Sequence, residues 1–264
     1  GGIFIGKTRS TSVGGNTVVQ AGDDLGTITF GGADGTSLQF GATITAEVQS
    51  GVGNDDMPTD LFFTTNGGST NTAERFRITS DGQIGVNKSS PKEWNTSYRS
   101  LQIHDAGYIA GSTDDSFVAI GANNYLDTSG NYDYTNSDFA SQLYQVDGTL
   151  VFRNAASGTA DNAITWTERL RITSGGYLGL GINNPARHFH LHVDSSSANY
   201  QIFTNSTTGT NNNDGLLLGI TAAEEALFWN YESTPSRFAT SGTERLRITS
   251  CLLYTSDAAD DVEC

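Results

Sequence analysis

The sequence has little cysteine, little proline and little charge. Its two cysteines, Cys251 and Cys264, both lie at the C-terminal end. Residues 1–250 therefore hold no disulfide framework, no cysteine-ligated zinc and no cysteine nucleophile. Charged residues make up 16% of the chain and aromatic residues 10%. This charge is too low, and this aromatic content too high, for a disordered polyelectrolyte.

Long apolar runs and basic stripes are also missing. No segment approaches the roughly 20 apolar residues that a membrane helix needs, and no charged region followed by an apolar one marks a signal peptide. The formal net charge of -15 opposes contact with a polyanion, because nucleic-acid binding relies on cations that displace counterions from phosphates. The sequence thus predicts neither membrane insertion nor nucleic-acid binding.

The chain is instead rich in glycine, threonine, serine and asparagine, with 31 Gly and only 36% apolar residues. Such residues favour turns and short strands over long helices. One phrase occurs three times: residues 74–80 read ERFRITS, and residues 168–174 and 244–250 both read ERLRITS. The copies are 94 and 76 residues apart, which is nearer to the size of small domains than to solenoid repeats.

The residues after the phrase repeat as well. Residues 81–86 read DGQIGV and residues 175–180 read GGYLGL. Pro91 and Pro185 each come 11 residues after the last serine of their phrase. Because Gly tolerates positive φ, the dipeptide after each phrase predicts a turn. A repeated strand, turn and proline connection is therefore expected.

The phrase itself has the alternation of a β-strand. We expect Phe76 and Ile78 to share one face, and Arg75, Arg77 and Thr79 to share the other. The apolar face would pack, and the arginine face would meet water or cross-strand acids. An anion-binding ladder of arginines is the functional alternative to this structural interpretation.

Two further segments predict hairpins. Residues 142–146 and 149–152 alternate around Asp147 and Gly148, which is a strong two-residue turn signal. Residues 221–227 are the best helix candidate, but they are short and lie between apolar runs. We predict a hairpin tip there.

The fold class predicted is all-β, in serial antiparallel modules of a repetitive fibre. The modules are residues 1–90, with a truncated start; residues 91–184, with an inserted loop at about 125–144; and residues 185–250, which are incomplete. Residues 251–264 resemble a translated sequencing adapter at the end of a metagenomic reading frame. We treat them as a non-native tail and leave them out of fold reasoning.

The wording around the repeats resembles tail-fibre and related virion structural proteins of phages, especially marine ones. The segments that carry the resemblance are residues 11–20, 22–26, 33–36, 54–58, 228–232 and 237–240, together with the repeated phrase. The resemblance implies an elongated homotrimer in the virion that carries or forms a receptor-binding element. Such fibres often precede a self-cleaving chaperone domain with a Ser/Lys dyad, which this sequence does not contain.

Three histidines alternate on one predicted strand. His188, His190 and His192 would share a face, and three imidazoles, or three chains of them at a trimer axis, could ligate Zn or Fe. Fibre tips with His-x-His iron sites occur in the wider class that the sequence resembles. The alternative is a solvated strand face, because the equivalent positions of the preceding repeat hold Tyr98, Ser100 and Gln102.

The inserted loop supplies the candidate ligand-binding residues. Tyr132, Tyr134 and Phe139 lie among asparagines and aspartates, and aromatic rings with amides are what sugar recognition uses. An exposed hairpin without a ligand is the alternative.

Signals for catalysis are weak. The adjacent acid pairs at 23–24, 55–56 and 114–115 point to opposite faces of a strand, so they do not form a catalytic pair. Gly1, Gly6, Lys7 and Thr8 match the P-loop spacing, but no strand precedes them and no helical pattern follows.

The sequence as a whole predicts a non-enzymatic virion structural protein, a phage tail-fibre segment involved in host attachment and binding a host-surface glycan. The alternative is a surface adhesin or glycan-binding module, which would be extracellular. A glycan depolymerase is a further and less favoured alternative.

Overall fold

A computed structural model of the protein describes residues 1–68, 71–113 and 115–249. These residues form strands and connections without any α-helix, which confirms the predicted all-β class. Within this described part, no helix is long and apolar enough to cross a membrane. The chain divides into two compact units, Gly1–His190 and Leu191–Cys264. Ser250 and the tail at residues 251–264 lie outside the described residues.

Within the described residues, the strands up to the unit boundary number fifteen. They are β1 (Asp24–Ala33), β2 (Leu38–Val48), β3 (Thr59–Asn66), β4 (Thr72–Ile78), β5 (Ile84–Val86), β6 (Tyr98–Ile103), β7 (Gly107–Ser112), β8 (Val118–Ala122), β9 (Asn124–Leu126), β10 (Tyr132–Tyr134), β11 (Ala140–Val146), β12 (Thr149–Ala155), β13 (Thr167–Ile172), β14 (Leu178–Leu180) and β15 (Phe189–Leu191).

Thirteen of these strands form one sheet whose order follows the chain, from β1 to β8 and then from β11 to β15. Strands β9 and β10 pair with each other in a separate hairpin. Most neighbours pair antiparallel, whereas β5 and β6 pair in parallel. Residues 90 and 91, between which the first module boundary is predicted, lie in the connection between β5 and β6. The sheet is continuous across that connection.

The repeated phrase forms a strand in each copy, and each of these strands has a β-bulge at its first arginine. In β4 the pairing slips between Phe63 and Thr64, which leaves Arg75 without a residue opposite it. Strand β13 has the same slip at Arg169, and the strand Thr243–Ile248 has it at Arg245. A bulge inserts one extra residue and so changes which side chains share a face.

The prediction that Arg75 and Arg77 share a face is therefore wrong. Arg75 donates through Nε to the Thr65 hydroxyl at 3.1 Å, whereas Arg77 donates to the Asp60 carboxylate at 2.7 Å. Residues 60 and 65 point to opposite faces of β3, because side chains alternate along a strand. The bulge at Arg75 is the physical reason for the difference.

One face of the sheet carries an unbroken apolar row. Ten apolar residues lie opposite one another in successive strands from β3 to β8 and from β11 to β14. In order they are Leu61, Ile78, Ile84, Leu101, Ile109, Ile120, Leu143, Phe152, Leu170 and Leu180. We call these ten residues the apolar row.

The opposite face holds the core of the first unit. Its main cluster consists of Trp94, Tyr108, Ala110, Ala119 and Leu126. The connection between β5 and β6 brings Trp94 onto this face, and β9 brings Leu126. The chain therefore covers the face opposite the apolar row with its own connections.

A hydrogen-bond network runs through this covered face. The Tyr108 hydroxyl donates to Asn124 Oδ1 at 2.6 Å, and Gln142 Nε2 donates to the Tyr108 hydroxyl at 2.6 Å. Arg153 Nε donates to Gln142 Oε1 at 2.7 Å. The Arg153 guanidinium also lies 4.4 Å from the Trp166 ring centroid. The polar side chains of Tyr108, Asn124, Gln142 and Arg153 thus satisfy one another by hydrogen bonds.

Both predicted hairpins are confirmed. Asp147 and Gly148, with φ of 48° and 74°, connect β11 to β12 in a turn of the kind that two-residue hairpins favour. In the second unit, the Thr221 amide donates to the Glu225 carbonyl at 3.0 Å. That bond closes the tip of a hairpin.

The described part of the second unit contains a three-stranded sheet and a hairpin. The sheet consists of β16 (Asn199–Phe203), β17 (Leu216–Ile220) and β18 (Ala226–Asn230), and the hairpin of β19 (Ser236–Thr240) and β20 (Thr243–Ile248). Leu217 is buried in this unit, and most side chains of β18 to β20 are exposed.

Candidate functional site

A polar groove of about 600 Å³ lies beside the covered face of the first unit. Its lining includes carboxylates, hydroxyls, an arginine and a tryptophan. They are Glu47, Gln49, Ser50, Asp60, Arg77, Thr79, Ser80, Asp81, Gln83, Ser89, Ser90, Pro91, Lys92, Glu93, Trp94, Thr96 and Thr128. Its lining contains no histidine or cysteine.

Arg77 is fixed on the floor of this groove by two carboxylates. Its Nε and terminal nitrogen donate to both oxygens of Glu74 at 2.9 and 2.7 Å, and another nitrogen donates to Asp60 at 2.7 Å. The Ser80 amide donates to the second Asp60 oxygen at 2.8 Å. These bonds, with Glu74 first, raise the pKa of Arg77 above its ordinary value. The arginine is thus a fully paired structural group.

The two-bond pair of Arg77 with Glu74, which we call the clip, occurs in the other copies of the phrase as well. Arg171 donates to both oxygens of Glu168 at 2.7 Å, and Arg247 donates to both oxygens of Glu244 at 2.7 and 2.8 Å. In each copy the bulge places the glutamate and the second arginine on one face. Recurrence in three copies favours a structural role for this pair over an anion ladder.

The turn after the phrase is stabilised by its threonine. The Thr79 hydroxyl accepts a hydrogen bond from the Gln83 amide at 2.9 Å, and the Thr173 hydroxyl accepts one from the Tyr177 amide at 3.1 Å. Gly82 has a φ of 83° within this turn, which a residue with a Cβ adopts only with strain. The repeated Thr-Ser-x-Gly is therefore a turn signature.

The glycine and proline that follow pack on each other. A Cβ added at Gly179 would lie 2.6 Å from the Ile182 carbonyl oxygen and 3.5 Å from Pro185 Cβ. At Gly85 it would lie 2.9 Å from Pro91 Cγ. The repeated spacing from glycine to proline thus reflects packing, because the connection that holds the proline approaches the sheet closely at the glycine.

Trp94 is a residue that sequence reasoning missed. It is 3% exposed, packs edge-on against Tyr108 at 4.7 Å, and its Nε1 has no hydrogen-bond partner. It lines the groove with the hydroxyls of Ser89, Ser90 and Thr96. Its position between the repeated proline and the next strand is the signal that could have identified it.

The histidines predicted to bind a metal are placed as follows. His188 is exposed, and its ring centroid lies 4.6 Å from that of Tyr177. His190 Nδ1 accepts a hydrogen bond from the Ala186 amide at 3.2 Å. His192 is exposed. In the described part of the chain, no three His, Cys, Asp or Glu side chains form a group that could hold a metal ion.

Two of the three aromatic candidates in the inserted loop lie inside the protein. Tyr132 packs against the main core cluster, with its ring 6.0 Å from that of Trp166. Tyr134 is buried, and its hydroxyl donates to the Ala156 carbonyl at 2.6 Å. Phe139 is 68% exposed. The structure therefore does not bring these three rings together on one exposed surface.

The inserted segment also contains a buried acid. Asp133 is 9% exposed, and burial, together with the charges of Asp127 and Asp161, raises its pKa. Asp161 is bonded to the Lys92 ammonium at 2.5 Å and to the Tyr125 hydroxyl at 2.9 Å. These contacts tie the segment to the connection between β5 and β6.

The residues that match the P-loop spacing hold an ion pair. Lys7 Nζ and Arg9 Nε lie 2.9 and 2.6 Å from the carboxylate of Asp23, and these hydrogen bonds, that of Arg9 first, lower the pKa of Asp23. The chain from Thr8 to Asp23 is irregular and forms no helix. Because a P-loop needs a helix N-terminus, this segment does not provide one.

No family model matches the sequence, and no curated protein matches it. One solved structure that is similar is the carboxy-terminal domain of the bacteriophage T5 L-shaped tail fibre. It is 15% identical with a TM-score of 0.43, over 80% of this chain and 96% of that one. The same domain with its intra-molecular chaperone domain is 15% identical with a TM-score of 0.44, over 80% of this chain and 66% of that one. Similarity at this level carries no information about function.

Proposed function

We propose that this chain is a segment of a phage tail fibre, a virion structural protein that serves in host attachment and has no enzymatic activity. The observation that carries the proposal is the repeat-built sheet. Each of the first two copies of the phrase adds a strand with a glutamate–arginine pair, a turn and a proline connection to the thirteen-stranded sheet, whose strand order follows the chain. Repetition of this kind extends a sheet along one direction, as a fibre requires.

The role of the repeated residues also supports a structural function. The glutamate and the second arginine of each phrase pair with each other, and the threonine of the first two copies stabilises a turn.

The assembly proposed is a homotrimer. The buried clusters of the first unit are small for its length, and many large apolar side chains are exposed. Packing between chains would add the core that one chain lacks. Three copies would also give a weak surface ligand avidity.

The location in the virion is tested by immunogold electron microscopy. Antibodies raised against the chain are applied to virions and bacterial cells purified from the source of the gene. Gold on tail fibres is the expected result. Gold on bacterial surfaces, with unlabelled virions, would contradict the proposal and favour the adhesin.

A glycan-binding module is the second candidate, and the polar groove is the observation that favours it. Hydroxyls and carboxylates side by side suit a polyhydroxylic ligand such as a sugar. A glycan array probed with the full chain tests this function. Signals that disappear in Asp81→Asn and in Glu93→Gln, and persist in the exposed control Asp115→Asn, would support it. A depolymerase would instead release reducing ends from a polysaccharide.

A metal bridge between copies through His188, His190 and His192 is a separate proposal that follows from the predicted trimer. Zn or Fe would suit imidazole ligands. EDTA should then dissociate the assembly, and the substitution His190→Ala should do the same. An assembly that survives both treatments would contradict the metal bridge.

A further inference from the structure

Within the described residues of the first unit, the apolar row is exposed. Ile120 is 57% exposed, Ile109 is 42% exposed and Leu143 is 39% exposed. Their neighbours on the other face are buried, since Ala119 and Gln142 are each 1% exposed. The sheet thus buries the face that carries both polar and apolar side chains, and it exposes the face that carries the apolar row. Alternating strands normally do the reverse in a protein that folds as a monomer.

The row is widened by further apolar residues of the same face. At one end these are Ile44, Phe63, Phe76, Val86 and Ile103, which lie opposite one another in consecutive strands. At the other end, Leu150, Ile172 and Leu178 do the same. None of these positions, and none in the apolar row, carries a charged side chain. Uncharged apolar surface of this extent marks an interaction site.

Polar residues mark the border of this surface. Arg75, at the bulge of β4, donates to the Thr65 hydroxyl at 3.1 Å. Arg169, at the bulge of β13, donates to Asn154 Oδ1 at 2.8 Å. Thr65 follows Phe63 on the same face of β3, and Asn154 follows Phe152 on the same face of β12. Both therefore lie at the margin of the apolar face. An apolar centre with a polar rim is the arrangement of protein–protein interfaces.

We propose that the apolar row is the surface through which copies of this chain pack on one another, face against face. The inference rests on the proposed fibre function and names the contact that would hold the fibre together. It assigns the contact to the sheet face and not to the strand edges. The occupant is a second copy of this chain.

The size of the surface agrees with this occupant. Ten strands at about 4.8 Å spacing extend roughly 45 Å, and two residues of one face extend roughly 13 Å along a strand. The surface is therefore about 600 Å², the lower end of the roughly 600–1,000 Å² that each partner contributes to a standard stable interface.

Charge supports the same occupant. The chain has a formal net charge of -15, so two copies repel each other over most of their surface. The apolar face is the uncharged exception. Identical chains therefore meet there at the lowest electrostatic cost and bury the most apolar area.

The first test uses charge on the surface. Ile120→Glu and, separately, Leu143→Glu are compared with Phe139→Glu, which replaces an apolar side chain that is also exposed but lies in the inserted segment. Light scattering should show dissociation of the assembly for the first two substitutions. The control should keep the mass of the unmodified chain. Retained assembly in Ile120→Glu and Leu143→Glu, with unchanged circular dichroism, would place the contact elsewhere.

A second test avoids the charged substitutions of the first, which could unfold the chain, and uses cysteine cross-linking. In a full chain that carries Cys251→Ser and Cys264→Ser, a single Ile120→Cys or Phe139→Cys is treated with a short bis-maleimide. The Ile120→Cys chain should form covalent dimers in high yield, and the Phe139→Cys chain should remain monomeric on a denaturing gel. Equal cross-linking of both, or none at Ile120→Cys, would overturn the inference.

The two tests separate this inference from the proposed function. If the unmodified chain is a trimer but the apolar row is neither charge-sensitive nor cross-linked, the fibre proposal stands and this contact is wrong. If the unmodified chain is a folded monomer, the trimeric fibre and the contact both fail.

Discussion

At the scale of the residue, the two arginines of the repeated phrase serve opposite faces of the sheet. Arg77 pairs with Glu74 and Asp60 on the covered face, while Arg75 reaches the margin of the apolar face. A bulge between them makes this division possible. The phrase is therefore conserved within the chain as one geometric unit, in which each charged residue has its own place.

The clips should differ in strength because they differ in burial. The Arg and Glu side chains are 11% and 13% exposed in the first copy, 24% and 20% in the second, and 42% and 38% in the third. Removal of a buried partner leaves an unpaired charge and costs about 3 kcal/mol, whereas an exposed pair contributes less than about 1 kcal/mol.

Arg77→Leu should therefore lower the free energy of unfolding most, Arg171→Leu less and Arg247→Leu least. Urea unfolding followed by tryptophan fluorescence measures the three. An equal effect of Arg77→Leu and Arg247→Leu would show that burial does not set the strength of the clip.

Sequence reasoning predicted the strand at the phrase and the shared face of Phe76 and Ile78. It did not predict the bulge at Arg75. A bulge depends on how β4 pairs with β3, where the register slips between Phe63 and Thr64. Such pairing is a long-range property that the alternation within seven residues does not contain.

At the scale of the element, the connection after each phrase is held against the sheet by a glycine. Gly85 and Gly179 sit under their connections with no space for a Cβ. The prolines of the repeat, Pro91 and Pro185, are among the atoms that fill this space. The repeated sequence spacing thus has a packing cause.

Gly179→Ala should destabilise the first unit by about 1–3 kcal/mol, the cost of forcing extra volume into a packed site. The added Cβ would lie 2.6 Å from the Ile182 carbonyl oxygen. Gly175→Ala is the control, because its Cβ would meet only Thr173 Oγ1 at 3.8 Å. Thermal unfolding compares them, and a neutral Gly179→Ala would refute the packing argument.

The inserted segment covers the core, and its buried Asp133 makes it sensitive to pH. The pKa of Asp133 is raised by burial and then by Asp127 and Asp161. The folded state therefore holds this proton at a pH where the unfolded chain has lost it. The contribution of Asp133 to stability is fully present below its ordinary pKa of 3.8, and it is lost as the pH rises through the raised value.

Asp133→Asn should consequently stabilise the protein at pH 7, and the gain should shrink as the pH is lowered towards 3.5. Thermal unfolding of the variant and the unmodified chain across this range measures the difference. Asp115→Asn, at an exposed aspartate, is the control and should change little. A gain that grows at low pH would contradict the sign.

Composition alone did not separate the two interpretations of the inserted segment. Aromatic rings among amides are common to ligand loops and to small polar cores. The pairing of Tyr132 with Leu126 and of Tyr134 with Asn124 turns the segment back onto the sheet. Contacts with residues further along the chain, Trp166 for Tyr132 and the Ala156 carbonyl for Tyr134, then hold both side chains inside the protein.

At the scale of the whole molecule, the first unit is a single sheet with one face covered by its own chain and one face left apolar. The all-β class, the repeats and both hairpins could be predicted, because each depends on local alternation and turn residues. Alternation also predicts that one face is apolar. It does not reveal whether this chain or another copy covers that face.

The solution mass of the full chain tests this account most directly. Light scattering after size exclusion, in reducing buffer so that Cys251 and Cys264 stay unpaired, should give three times the chain mass of 28.0 kDa. Burial of the apolar row between copies requires an assembly of at least two chains, and the proposed fibre sets the number at three. A folded monomer that keeps the apolar row in water would contradict the account.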